Sequence, residues 1–264
     1  MMSNIEDLRK NNPLTVCYTN DVVKNFSANG LLSLGASPAM SEAPQEADEF
    51  TKVAGGLLIN IGTVTVGRGE DMLQIAQKAQ SNECPIVFDP VAVGASKFRK
   101  SYCSRFLKVV RPTVIKGNAS EILALIDAEA TMKGTDSEDN LDVVSIGKRA
   151  YEKFNTNIVI TGQTDVIVHE GRCYTLNNGS ALLAKVTGAG CLLGAVIASF
   201  LQRDRYPQVD KLIDAVTAFN IAAEQAETLT NNAGPGSFNI NFIDRLSHVS
   251  QEDINQCGNI SEVS

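Results

Sequence analysis

Only two histidines, His169 and His248, occur in the 264 residues, and they stand in unrelated contexts. That scarcity argues against a histidine metal centre and against a Ser-His-Asp triad. His169 falls in a hairpin-like stretch, Val166–Gly171, and His248 in a polar tail, so both are expected at the surface. No C-x-x-C pair or zinc-finger spacing relates the six cysteines, Cys17, Cys84, Cys103, Cys173, Cys191 and Cys257. All but Cys191 are expected as buried, reduced thiols. No apolar run approaches the ~20 residues that span a bilayer; the longest, Cys191–Leu201, falls well short. The stretch from Met1 to Pro13 is polar and lacks the apolar segment of a signal peptide. Nor is there a basic excess. The formal net charge of −7 leaves no basic face for nucleic acid or an anionic membrane. The expectation is a soluble, cytoplasmic protein that holds any phosphate by local backbone dipoles and a few cations.

What is present is ordinary globular composition, 44% hydrophobic and 20% charged, enough for one large α/β domain or two small ones. No repeat, low-complexity stretch or linker divides the chain, so one domain over residues 1–264 is expected. Residues after about 249 read as a frayed polar tail, and Thr135–Asn140 as an acidic, solvated loop.

Short apolar, β-rich runs alternate with helix-length segments. The strands predicted are Leu14–Cys17, Gly56–Ile61, Ile86–Phe88, Thr113–Ile115 and Ile158–Ile160, followed by a hairpin of Val166–Val168 and Cys173–Leu176. Helices are predicted over Asp21–Leu34, Glu70–Ser81, Ser101–Val109, Ser120–Ile126 and Leu141–Phe154, with buried ones at Cys191–Leu201 and Lys211–Leu229. Continuous apolar runs indicate strands covered on both faces, and strand–helix alternation implies a mainly parallel central sheet between helical layers. The runs end in polar or turn-forming clusters, Thr19–Asp21, Asn60–Thr63, Asp89-Pro90, Lys116–Asn118 and Thr161-Gly162. In an open parallel sheet, ligands bind beyond these carboxyl ends.

The segment Thr187-Gly188-Ala189-Gly190-Cys191 leads directly into the most apolar helix. Glycines let backbone N–H groups converge there, and the helix N-terminus adds a partial positive charge. Such a turn suits a phosphoryl group in transfer, where charge is spread over three oxygens. It is not a Walker A loop, since G-x-x-x-x-G-K-[ST] is absent. Cys191, in the first helical turn, has three readings: a partner of a substrate hydroxyl with a lowered pKa, a packing residue, or a nucleophile. Asp89, at a strand end, and Glu121, at a helix start, suit Mg²⁺, which takes one or two carboxylates plus phosphate oxygens. Asn118 with Glu121 also reads as a capping box. Lys116 is a candidate for nucleotide phosphates.

The stretch Thr19–Met40 resembles the N-terminal signature of the hydroxyethylthiazole kinase family. The resemblance continues, in order, through Leu58–Thr63, Phe88–Ala95, Lys116–Ile122, Val159–Gly162, Thr187–Cys191 and Gly234–Phe238. It implies a ribokinase-like fold and transfer of phosphate from ATP, with Mg²⁺, to the primary hydroxyl of 4-methyl-5-(2-hydroxyethyl)thiazole in thiamine synthesis or salvage. It also implies a homotrimer with active sites at subunit interfaces. By the same resemblance Asn20, Val22, Met40 and Gly188 contact the thiazole, Lys116 and Thr161 contact ATP, and Asp89 and Glu121 attend magnesium. Gly188, Ala189, Gly190 and Cys191 form the catalytic turn. Many relatives carry arginine in place of Lys116, which keeps the charge but changes the geometry of a phosphate contact.

Three rivals are distinguishable. A hydroxymethylpyrimidine kinase or hydrate dehydratase on the same fold is not expected to carry the Asn20–Met40 motif, and the former places aspartate where Cys191 stands. A catalytically silent sensor of thiazole or nucleotide has no need of Asp89, Glu121 and the glycine turn together. A cysteine hydrolase needs a base beside Cys191.

Overall fold

The structure, a computed structural model, describes residues 3–127 and 142–263; the acidic stretch Thr135–Asn140 lies outside them. The described strands are β1 (Leu14–Tyr18), β2 (Ser37–Ala39), β3 (Gly56–Asn60), β4 (Ile86–Asp89), β5 (Val114–Asn118), β6 (Asn157–Thr161), β7 (Asp165–His169), β8 (Arg172–Leu176) and β9 (Ile260–Val263). They form one sheet in the order β2-β1-β3-β4-β5-β6-β7-β8-β9. Pairing is parallel from β2 to β6 and antiparallel from β6 to β9.

Alternate residues of each strand face opposite sides. Leu58, Val87, Val114 and Val159 enter one core cluster, while Leu57, Ile59, Phe88, Ile115 and Ile160 enter the other. This two-sided burial is why the strands read as unbroken apolar runs. The first cluster lies under α1 (Asn4–Asn11), α2 (Lys24–Leu34), α8 (Ala189–Leu201), α9 (Val209–Thr230), α10 (Pro235–His248) and α11 (Gln251–Cys257). The second lies under α3 (Ala47–Val53), α4 (Val66–Ser81), α5 (Lys97–Val109), α6 (Ala119–Ile126) and α7 (Val143–Phe154). Helix α8 is apolar on every side because every residue from Leu192 to Leu201 is buried.

Several expectations are corrected. Residues beyond 249 are polar but not frayed. Ser250 opens α11 with a reciprocal capping box to Asp253, and β9 completes the sheet against β8. The polar composition misled because a short edge strand needs only one covered face. The segment before Pro13 contains α1, whose Ile5 and Leu8 are fully buried; two apolar residues three apart suffice to seat a short helix. Helix α2 starts at Lys24 rather than Asp21, since Asp21–Val23 form a turn closed by Val23 N–H on the Asn20 carbonyl at 3.3 Å. His169 is buried at 7% exposure, its Nδ1 2.8 Å from Asn157 Oδ1, and burial lowers its pKa. Cys257 is exposed on α11, unlike the buried Cys17, Cys84, Cys103 and Cys173.

Candidate active site

The parallel register brings the strand ends together in space. Asn60 and Asp89 are direct partners across β3 and β4, and β5 ends beside β6 with Asn118 opposite Thr161. Helix α8 crosses this edge with its N-terminus at the strand ends. Gly188 caps it at φ +90°, a left-handed conformation that favours glycine. A Cβ on Gly188 would lie 2.4 Å from Val23 Cγ1, so the turn and the loop after β1 pack without room for a side chain.

A chain of polar contacts runs along the edge. Asn20 Nδ2 donates to Asn60 Oδ1 at 3.0 Å and reaches Cys191 Sγ at 3.3 Å. Asn60 Nδ2 donates to Asp89 Oδ2 at 2.7 Å. Lys116 Nζ lies 3.6 Å from the same carboxylate oxygen and donates to the Gly190 carbonyl at 2.8 Å. The lysine thereby holds a charge against the first turn of α8, where N–H groups have no intrahelical acceptor. Lys116 and Asp89 are 4% and 0% exposed.

Electrostatics follow from that burial. Desolvation raises the Asp89 carboxyl to about 6, with Lys116 opposing the rise. Burial by itself would lower Lys116, but Asp89 and Glu121 outweigh it and raise its pKa. Cys191 departs from the sequence expectation: burial, then the Asp89 charge, raises its pKa. Lys116 and the side-chain hydrogen bonds from Asn60 and Asn20 oppose those two effects without reversing them, a direction that favours the thiol over a nucleophilic thiolate.

Glu121 caps α6 reciprocally. Its Oε2 accepts the Asn118 N–H at 2.9 Å, its own N–H meets Asn118 Oδ1 at 2.8 Å, and its Oε1 accepts the Ala92 N–H at 2.8 Å. The capping and magnesium readings coexist, because each carboxylate oxygen keeps a lone pair. Asp89 Oδ1 is buried without a hydrogen-bond partner. An orphaned acceptor of that kind fits a cation or its hydration shell. Among the described residues, no three His, Cys, Asp or Glu side chains cluster as a metal cage. Asp89 and Glu121 would fit Mg²⁺, which takes one or two protein carboxylates and otherwise water and phosphate oxygens.

Beyond Gly190 opens a cavity of about 770 Å³, walled by Asn118, Thr161, Gly162, Gly179, Ala189 and Asn220, among others. Thr161 thus sits on the opposite side of the α8 N-terminus from Asn20. Val22 and Met40 stand outside the bonded network. Val22 is 68% exposed, and Met40 is partly buried against the core. Four charges secure the loops that carry them. Arg68 bonds Asp21 and, at 2.7 Å, Glu42, and Lys24 bridges the same two carboxylates at 2.7 Å each.

Two roles escaped the sequence reading. Asn60 stood there only within a strand-end cluster and a resembling motif, and the structure shows it bridging Asn20 to Asp89. Asp165, which contacts both the β6–β7 turn and α9, had no local signal because its partner Asn220 is distant in sequence.

The polar ends of a parallel sheet converge on a glycine-capped helix beside a paired lysine and aspartate, within a ribokinase-like α/β fold. A solved ribokinase-like superfamily protein from Enterococcus faecalis has the same fold, with a TM-score of 0.61 at 14% identity over 92% of this chain and 89% of that one. A hydroxyethylthiazole kinase structure from Pyrococcus horikoshii OT3 superposes with a TM-score of 0.89 at 33% identity, covering 99% of this chain and 98% of that one. Hydroxyethylthiazole kinase from Staphylococcus carnosus is 59% identical over 259 residues, 98% of each chain. The hydroxyethylthiazole kinase family profile matches residues 5–252. The chain belongs to the hydroxyethylthiazole kinase family, and it is a phosphotransferase. Among the described residues, no helix is long and apolar enough to cross a membrane.

Proposed function

We propose that the protein transfers the γ-phosphoryl group of ATP to the primary hydroxyl of 4-methyl-5-(2-hydroxyethyl)thiazole, with Mg²⁺, in thiamine synthesis or salvage in the cytoplasm. The observation that carries the reading is the placement of Cys191 at the α8 N-terminus. There it meets Asn20 on one side, while on the other Lys116 is bonded to Gly190, which lines the cavity. An acceptor alcohol and a nucleotide would then approach one glycine turn from opposite sides.

In this scheme Asn20, Val22, Met40 and Gly188 hold the thiazole, with its hydroxyl at Cys191. Thr161 and Lys116 hold the nucleotide, its base and sugar filling the amide-rich cavity and its phosphates lying towards Gly190. Asp89 and Glu121 would hold Mg²⁺, which supplies charge neutralisation to the phosphate oxygens. In a loose phosphoryl-transfer transition state the hydroxyl proton leaves late, so a protonated thiol that orients the alcohol suffices. The backbone N–H groups of Ala189, Gly190 and Cys191, together with Lys116, would stabilise the charge spread over the moving phosphoryl group.

The chain would act as one domain, assembled into a homotrimer with sites between subunits. The 68% exposure of Val22 supports a thiazole site that a second subunit completes, since an apolar contact residue is otherwise left facing water. The test is phosphate transfer from ATP–Mg²⁺ to the thiazole, with hydroxymethylpyrimidine alongside. Transfer to the thiazole alone is expected. Thiazole binding by a folded sample without transfer to either alcohol would favour a sensor.

A further inference from the structure

Asp165 opens β7 with 5% exposure, and burial raises its pKa to about 6. A carboxylate in such a place needs an explanation, because an apolar residue would cost less to bury. Its two oxygens serve two different elements. Oδ1 accepts the Gly162 N–H at 2.9 Å, closing the turn between β6 and β7. Oδ2 accepts Asn220 Nδ2 at 2.7 Å, from the middle of α9. Thr161, Gly162 and Asn220 all line the 770 Å³ cavity, so one side chain ties two of its walls together.

Both partners are donors, and the carboxylate accepts from each; an asparagine could do so only with the Asn220 amide turned to present its oxygen, and an alanine accepts from neither. One helical turn further along α9, Glu224 does the same for another part of the wall. It accepts the Gly179 N–H at 2.8 Å and Asn178 Nδ2 at 3.2 Å. Residues 220 and 224 share one face of the helix, which makes α9 the post to which both cavity loops are tied.

We propose that Asp165 is a positioning residue for the nucleotide: by bonding Gly162 and Asn220 at once it fixes the cavity walls that receive the nucleoside, without touching the reacting atoms. This rests on the reading of that cavity as the nucleotide side of the site. It implies a loss confined to nucleotide affinity when the pair is mismatched, and recovery when donor and acceptor are exchanged.

The test compares Asp165→Ala with the double variant Asp165→Asn/Asn220→Asp. The exchange restores both bonds, because the amide introduced on β7 would accept from Gly162 and donate to the carboxylate introduced on α9. Asp165→Ala is expected to raise KM for ATP about tenfold, as for loss of a charge-assisted hydrogen bond, while kcat and the thiazole KM stay near wild type. The double variant should return the ATP KM to within about threefold of wild type, a residual below 1 kcal/mol. A folded single variant with unchanged ATP KM, equal losses for both substrates, or a folded double variant with no recovery would each overturn the proposal. If the single variant does not fold, the ATP KM of the double variant decides between the same outcomes.

Ala184→Trp, placed in the exposed wall of the same cavity, separates this idea from its premise. If filling the cavity leaves the ATP KM unchanged, the nucleotide reading fails and the proposal with it. If filling raises the ATP KM and Asp165→Ala does not, only the proposal fails.

Discussion

Asn20 and Cys191 are 171 residues apart in the chain and 3.3 Å apart in space, Nδ2 to Sγ. The contact joins the end of the first strand to the start of the eighth helix, and it sets the Cys191 side chain beside the expected position of the acceptor hydroxyl. Burial and Asp89 both raise the cysteine's pKa. Cys191→Ser keeps a group that can accept from Asn20, so kcat should stay within about tenfold of wild type. An obligatory general base would cost about 10²–10⁴-fold. Cys191→Asp should turn over at least as well as wild type, and alkylation of Cys191 by iodoacetamide at pH 7 should be slow. Loss of turnover in both variants, with fold and ATP binding intact, would defeat this account.

Gly188 carries the turn at φ +90° with Val23 against it. An alanine there combines left-handed strain with overpacking, together about 3 kcal/mol of destabilisation. The strain would be relieved by pushing Val23 away, which displaces the loop bearing Val22 and Asn20. Urea unfolding should show the loss of stability, and steady-state kinetics a higher KM for the thiazole than for ATP relative to wild type. An alanine variant as stable and active as wild type would mean that the turn is not confined as described.

The sheet and most helices were legible in the sequence because burial on both faces writes strands as continuous apolar runs. The candidate site was legible because parallel strands collect their polar ends on one edge. Asn20, Asp89, Lys116 and Cys191 could be named from strand ends and one glycine turn, and the structure joins them through Asn60. What the sequence did not show depends on partners far apart in the chain. The Cys191 pKa follows from burial beside Asp89, which the local helix-terminus argument does not contain. Likewise α11 and β9 owe their order to β8 and α9, not to any apolar pattern of their own.

Stability without ligand should depend on pH in an uncommon direction. Asp89 and Asp165 have folded pKa values raised to about 6 by burial, above their unfolded values, so the folded state binds their protons more tightly. Their contribution is fully present below the unfolded value near 4 and is lost as pH rises through about 6. Asp21, Asp48 and Asp253 have lowered values and act oppositely at more acid pH, while His169, lowered by burial, opposes within the same window as one group against two. Metal-free protein should therefore melt at a higher temperature at pH 5 than at pH 7. A melting temperature that falls steadily from pH 7 to pH 5 would contradict the burial of these two carboxyls.

Arg68 holds Asp21, Glu42 and the Thr19 carbonyl through one guanidinium, and so fixes the two loops that flank the expected thiazole contacts. Arg68→Lys keeps the charge but not the fork. The expected result is a several-fold rise in the thiazole KM with the ATP KM unchanged, the reverse of the pattern expected for Asp165→Ala. Equal effects on both substrates would show that the network supports general stability only.

The C-terminal segment meets the cavity through Asn178. Asn178 Nδ2 donates to the Cys257 carbonyl at 2.9 Å, its Oδ1 accepts the Asn259 N–H at 2.7 Å, and the Asn259 carbonyl accepts the Asn177 N–H at 3.0 Å. These bonds hold the loop after β8 from behind while Glu224 holds it from α9. Ending the chain after Val249 would remove three of these anchors and uncover the edge of β8. The truncated protein should keep most of its affinity for the thiazole, whose expected contacts follow β1 and β2 and include the α8 turn, but bind ATP several-fold more weakly. Asn178→Ala, which leaves β9 in place, should reproduce part of the nucleotide defect. If truncation lowers melting temperature without changing the ratio of the two KM values, the tail is a structural edge and nothing more; a selective rise in the ATP KM makes it the outer support of the nucleotide wall.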